Sequence, residues 1–186
     1  DTPSSTDNRA YVQETGNGKD QHQFFHTITG LVPGARTYYR VVTDGEEFTS
    51  SFKTAPLEKA QNLTFYAYGD TRSHPEIQNR VVSQMLDDMK QSPDTRQTFC
   101  THSGDFTMDG MDEIFWDMEY FNRNYPNTIE LLANMPILGA CGNHETYRAD
   151  YVDDPAHYGY LLRKYWPYPF LQESNHCYYS VDYGPV

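Results

Sequence analysis

The sequence predicts an antiparallel β portion followed by an α/β portion built on a parallel sheet. Residues 21–55 hold aromatic and β-branched runs broken by hairpin signals. From residue 62 the order is strand, helix, strand, helix, strand, which gives a parallel sheet with right-handed crossovers. The third observation is how those strands end. Residues 62–68 run into Gly69-Asp70, residues 97–102 run through Ser103 into Gly104-Asp105, and residues 135–141 run into Gly142-Asn143-His144-Glu145. Ligands bind along the carboxyl edge of a parallel sheet, so Asp70, Asp105 and Asn143 are expected to converge. Two carboxylates and an amide oxygen beside a histidine need a cation to offset their repulsion.

The elements follow in order. Residues 1–20 are polar, with one short strand expected at 10–13. Residues 23–28 have strand character. In Leu31-Val32-Pro33-Gly34 the proline presets φ and the glycine accepts a positive φ, which predicts a turn. Residues 38–43 and 48–54 are the arms of a hairpin around Asp44-Gly45. Ala55-Pro56-Leu57-Glu58 reads as a linker. A helix is expected over 75–91, opened by Pro75 and stopped by Ser92-Pro93, with Ile77, Val81, Met85 and Met89 on its buried face. A second helix over 112–122 is expected to bury Ile114, Phe115, Met118 and Phe121, and a shorter one covers 127–133. Beyond Glu145 the chain turns irregular and aromatic, from Tyr147 to Tyr168; it is read as packing, with an active-site cap and a plain surface insertion both left open. Residues 177–183 alternate as a strand.

Composition narrows the class. The 186 residues are enough for one large or two small domains, and 16 Tyr, 10 Phe and 2 Trp exclude a disordered chain. A formal charge of −12 argues against a nucleic-acid backbone as partner. No apolar run reaches the roughly 18 residues of a membrane span. No signal peptide opens the chain, though a mature secreted protein would have lost one. With three cysteines at most one internal bridge forms, and Cys100 and Cys141 are read as buried thiols.

The ordered motifs Gly69-Asp70, Gly104-Asp105 and Gly142-Asn143-His144-Glu145 resemble the first three motifs of the calcineurin-like metallophosphoesterases. Gly69-Asp70-Thr71-Arg72 resembles a bacterial branch of that superfamily close to the purple acid phosphatases. The run from His26 to Val41, followed by Ser51-Phe52-Lys53-Thr54-Ala55-Pro56, resembles the end of the fibronectin-III-like domain that precedes the catalytic domain in purple acid phosphatases. The resemblance implies that residues 1–55 are the C-terminal part of a fibronectin-III-like β-sandwich. Residues 56–186 would be the N-terminal half of a calcineurin-like phosphoesterase domain, a partial four-layer αββα architecture.

It also implies an activity: metal-dependent hydrolysis of phosphate mono- or diesters by an acid phosphatase-like metallophosphoesterase. The cofactors would be two divalent or trivalent metal ions, Fe, Zn or Mn. By resemblance, Asp70 ligates one ion, Asp105 bridges both and Asn143 ligates the second. Arg72, Asn143 and His144 bind the substrate, and His144 is the catalytic residue that protonates the leaving oxygen. Such a bridge holds two cations about 3.5–4 Å apart, and the hydroxide they generate from a shared water is the nucleophile. The implied location is secreted, periplasmic or extracellular, and the implied partner is a phosphoester substrate, with a homo-oligomer left open.

The departures are specific. Met108 stands three residues after Asp105, where purple acid phosphatases have a tyrosine. Arg72 stands where other branches place a histidine; its fork suits a phosphate oxygen, and a structural ion pair is weighed evenly with that role. The family's two later histidine motifs have no counterpart before Val186. His74, His157 and His176 remain, without a spacing that favours them, and His102 is assigned a supporting or core role. These gaps lead to the expectation of an incomplete chain. They also motivate an alternative, a non-catalytic adhesion or assembly module with a vestigial metal site.

Overall fold

The first four strands form two separate antiparallel pairs. β1 (Arg9–Glu14) pairs with β2 (Asp20–Phe25), and β3 (Arg36–Thr43) pairs with β4 (Glu46–Lys53). The computed structural model describes residues 9–14, 20–43, 45–60, 62–146, 159–172 and 178–186. Among these the expected sandwich portion is two two-stranded sheets. β2 starts and ends three residues before the predicted 23–28. The Pro33-Gly34 turn forms as expected, with Ala35 N–H donating to Val32 O at 3.2 Å and Gly34 at φ 70°. Tyr38, Val42 and Phe48 are exposed on β3–β4. A two-stranded ribbon has no second layer of its own to cover such residues.

This hairpin docks on the rest of the chain through polar contacts. Tyr39 OH donates to Ala133 O at 2.6 Å, Gln97 Nε2 donates to Ser51 O at 2.7 Å, and Tyr183 OH donates to Lys53 O at 3.1 Å. Gln97 is almost fully buried, so these bonds offset the cost of taking its amide out of water.

The second part is α/β. β5 (Tyr66–Tyr68), β6 (Cys100–His102) and β7 (Ile137–Gly139) form a parallel sheet in that order, each three residues long and shorter than the hydrophobic runs suggested. α1 spans Pro75–Gln91 as predicted, with Pro75 at its first turn, Glu76 near its amino end and Lys90 near its carboxyl end, both suiting the helix dipole. Its buried face is half the predicted one: Met89 is buried and Met85 packs against the core. Val82, Leu86 and Met89 are buried, while Ile77 is 44% and Val81 48% exposed. Each four-residue step advances about 40° around the axis, so the predicted stripe sweeps off the core face. The short α2 (Pro93–Arg96) follows Ser92 directly.

The predicted 112–122 helix is α3 (Glu113–Phe115), capped by Asp112 Oδ1 accepting from Ile114 N–H at 3.1 Å, continuing as a π-helical segment at Trp116–Tyr120. The wider turn closes with Phe121 N–H donating to Trp116 O at 2.8 Å. It buries Trp116 and Tyr120 rather than Ile114 and Met118, which are exposed. α4 (Pro126–Asn134) receives its amino-terminal cap from α1: Asn79 Oδ1 accepts from the N–H groups of Asn127 at 2.9 Å and Thr128 at 3.2 Å. α5 (Tyr160–Tyr165) and α6 (Pro169–Gln172) complete the helices.

The core is contiguous and aromatic, with Phe106, Trp116, Tyr120 and Trp166 in mutual contact and Val82, Leu86, Leu131, Ile137, Leu161 and Leu162 around them. The aromatic segment packs as expected at Trp166; residues 147–158 lie outside the described residues. Residues 178–183 form no strand, and Cys177 is not among the described residues. Cys100 is a buried free thiol whose pKa burial pushes up to about 12. Cys141, in contrast to the expectation, is disulfide-bonded; β7 ends at Gly139, which leaves Cys141 half-buried on the loop rather than inside the sheet. Among the described residues no helix is long and apolar enough to cross a membrane.

Candidate functional site

Parallel pairing sets Tyr68 beside His102 and His102 beside Gly139, so the three loops leave the sheet on one edge. Backbone bonds then fasten them. Ser103 N–H donates to Tyr68 O at 2.9 Å, Asp70 N–H to Gly104 O at 3.0 Å, and Ala140 N–H to His102 O at 2.8 Å. Asp105 O accepts from both Thr71 N–H (3.0 Å) and Arg72 N–H (3.2 Å). The loops touch so closely that glycine is required. A Cβ on Gly69 would strike Ser103 Oγ, one on Gly104 the backbone of Gly142, and one on Gly142 the Asp105 carboxylate. Asp70 and Asp105 both adopt positive φ, 55° and 56°. That conformation is uncommon outside glycine, and it concentrates where function holds a side chain in place.

The side chains meet around Arg72. Its Nε lies 2.9 Å from Asp70 Oδ1 and 3.2 Å from Asp105 Oδ2. The Asp70 side chain is 71% exposed and that of Asp105 14%. Asp105 Oδ1 also accepts the His144 backbone N–H at 3.1 Å, which ties the third loop to the second. The His144 ring is buried, and its Nδ1 donates to Met108 O at 2.6 Å. The proton on Nδ1 fixes the tautomer and orientation of the ring. Asn143 lies between two residues that touch Asp105, is exposed, and directs its side chain to no hydrogen bond with a described residue. Thus Asp70, Arg72, Asp105 and the backbone of 142–144 come together. His74 instead faces Glu76 at 3.4 Å, and His157 and His176 fall outside the described residues.

Two supporting residues, Glu145 and Glu119, carry more of the geometry than their sequence context suggested. Glu145 is fully buried, and its carboxylate accepts the N–H groups of Asp105 (2.9 Å), Phe106 (2.9 Å) and Gly142 (2.7 Å). Burial raises its pKa and the three backbone bonds oppose that rise. The reach from Glu145 back to Gly142 N–H is that of a capping box, and Gly-x-x-Glu is the signal that would have found it. Glu119, on the π-helical segment, accepts from Met108 N–H at 2.7 Å and Ser73 N–H at 3.4 Å. His102 has the supporting role expected of it. Gly104 N–H donates to its Nδ1 at 3.2 Å, so its Nε2 proton points to Thr71 Oγ1 at 3.1 Å, which donates to Phe106 O at 3.0 Å. Burial pushes the His102 pKa down to about 3, so the ring is neutral.

A solved plant protein shares this arrangement of elements. The chain is similar to purple acid phosphatase PPD1 isolated from yellow lupin (Lupinus luteus) seeds, with a TM-score of 0.59, 16% sequence identity and coverage of 84% of this chain. The match spans 30% of the lupin chain. At this identity the likeness concerns the fold. No family model and no curated protein matches the sequence.

The sequence motifs led to the expectation of two metal ions, and the donor set around Asp105 bears on it directly. Two carboxylates already share a cationic nitrogen within 3.2 Å, and an exposed amide oxygen is adjacent in the next loop. Oxygen donors converging on one positive charge fit a hard or borderline cation there. They do not close a shell for two ions: among the described residues no group of three His, Cys, Asp or Glu side chains is placed to hold a metal.

Proposed function

We propose that the chain is part of a metal-dependent phosphoester hydrolase of the purple acid phosphatase-like branch of the calcineurin-like metallophosphoesterases. In this reading residues 56–186 are the first half of the catalytic domain and residues 1–55 the end of a fibronectin-III-like domain. The observation that carries it is the fastening of three strand-end loops around the Asp105 carboxylate. The likeness of fold to the lupin phosphatase supports it. Asp70, Asp105 and Asn143 would hold metal, and His144 would pass a proton to the leaving oxygen. Bound ions would polarise the phosphoryl group and offset its charge. The metals would be Fe, Zn or Mn. A disulfide at Cys141 persists in an oxidising compartment, which supports a secreted or periplasmic setting.

A second reading has its own support. Arg72 sits where a cation would sit, and Met108 holds the position of the family's tyrosine. Both suit a non-catalytic adhesion or assembly module with a vestigial site. Assay of the native protein on an aryl phosphate with Mn, Zn or Fe added separates the two. The phosphoesterase reading predicts metal-dependent turnover that Asp105→Ala abolishes. Absence of turnover with every metal favours the module.

A further inference from the structure

The His144 ring takes its orientation from Met108 O, which accepts from Nδ1 at 2.6 Å. That carbonyl needs an anchor of its own. The Met108 side chain is 46% exposed, so it does not fix the loop by core packing. Glu119 supplies the anchor. Its Oε2 accepts the Met108 N–H at 2.7 Å and, more weakly, the Ser73 N–H at 3.4 Å. One carboxylate oxygen thereby joins the loop of Asp70 and Arg72 to the loop of Asp105 and Met108. Ser73 Oγ donates to Met108 Sδ at 3.3 Å, a second link between the same two loops. Two residues past Met108, Gly110 N–H donates to His144 O at 3.0 Å. The Met108 carbonyl is therefore pinned between two anchored N–H groups. Glu119 itself stands on the π-helical segment between buried Trp116 and Tyr120, which holds its backbone against the core. Such interruptions of the α-helical ladder are frequent at functional sites.

We propose that Glu119 is a positioning residue for proton transfer: by fixing the Met108 peptide it fixes the tautomer and direction of the His144 ring. This rests on the reading of His144 as proton donor given above. Glu119 acts only through Met108 and touches no reacting atom. A misaimed donor costs most where the leaving oxygen is a poor leaving group, because an alkoxide needs the proton more than a phenolate does. Loss of Glu119 therefore has two linked signatures, a changed imidazole and a loss of turnover that grows as the leaving group worsens. A residue that merely supported the fold would lower turnover of every ester alike and leave the ring of the folded fraction unchanged.

The test uses the native protein with Glu119→Ala, Glu119→Asp and Glu119→Gln. Nitrogen-15 NMR of the imidazoles, assigned with His144→Gln, reads the His144 tautomer. Steady-state kcat is measured on an aryl and an alkyl phosphate with Mn, Zn or Fe added. Glu119→Ala is expected to lose the Nδ1–H signature of wild type, and its kcat on the alkyl ester falls about tenfold further than on the aryl ester. Glu119→Gln keeps an acceptor oxygen and restores both. If Glu119→Ala does not fold, Glu119→Asp, a methylene too short to reach Met108 N–H, is read in the same way. An unchanged tautomer, or an equal fall on the two esters, overturns the positioning role and leaves the phosphoesterase reading standing. No turnover by wild type with any of the metals overturns that reading, and the proton-transfer role falls with it.

Discussion

Glu145 shows how one carboxylate sets the position of two loops. It accepts three backbone N–H groups, from Asp105, Phe106 and Gly142, while fully buried. Glu145→Ala leaves those donors unpaired, and each buried unpaired group costs roughly 1–3 kcal/mol. A loss of about 3–5 kcal/mol in a denaturation experiment is expected, together with weaker metal binding; a loss under about 1 kcal/mol would show that the donors find other partners. His102 predicts a pH dependence. Its pKa is about 3 in the fold and near 6.5 in an unfolded chain, so below pH 6.5 the unfolded state takes up a proton that the folded state refuses. Its contribution to stability is complete above pH 6.5 and is lost as pH falls toward 3. Between pH 6 and 4 the slope from this group is about 1.4 kcal/mol per pH unit. Wild type should therefore show a steeper acid loss than His102→Gln in denaturation measured across that range, and equal slopes would contradict the neutral buried ring. Neither assignment follows from residue type alone, because both depend on which loop lies against which side chain.

At the scale of elements, boundaries were easier to read than faces. Pro75 and Ser92-Pro93 bracket α1 at Pro75–Gln91, since proline chemistry acts locally. The buried face is set by what packs against the helix, and strict four-residue spacing drew the eye to Ile77 and Val81 instead of Val82 and Leu86. Leu86→Ala should cost about 2–5 kcal/mol and Ile77→Ala no more than about 1 kcal/mol in the same assay. A reversed order would restore the predicted stripe. The π-helical Trp116–Tyr120 was invisible to a 3.6-residue pattern, yet it is what turns Trp116 and Tyr120 inward and sets Glu119 against the loops of Ser73 and Met108. The hairpin signals were legible at Pro33-Gly34 and in β3–β4, whereas a second layer over Tyr38, Val42 and Phe48 is not part of the described structure.

At the scale of the molecule, the order of strands and the glycine at each strand end were enough to anticipate a parallel sheet with Asp70 and Asp105 on one edge. The sequence left Arg72 open between a structural ion pair and a grip on phosphate, because an arginine two residues along the loop can reach out to ligand or back to its neighbours; in the structure it pairs with Asp70 and Asp105. The likeness of fold spans 30% of the length of the lupin phosphatase, and the activity is a proposal for this chain. The central claim is that Asp105 anchors a metal. Anomalous diffraction from crystals of the native protein grown with Mn²⁺ or Zn²⁺ measures that directly. The account predicts a peak in contact with the Asp105 carboxylate; a well-ordered site in saturating metal with no peak there would contradict it.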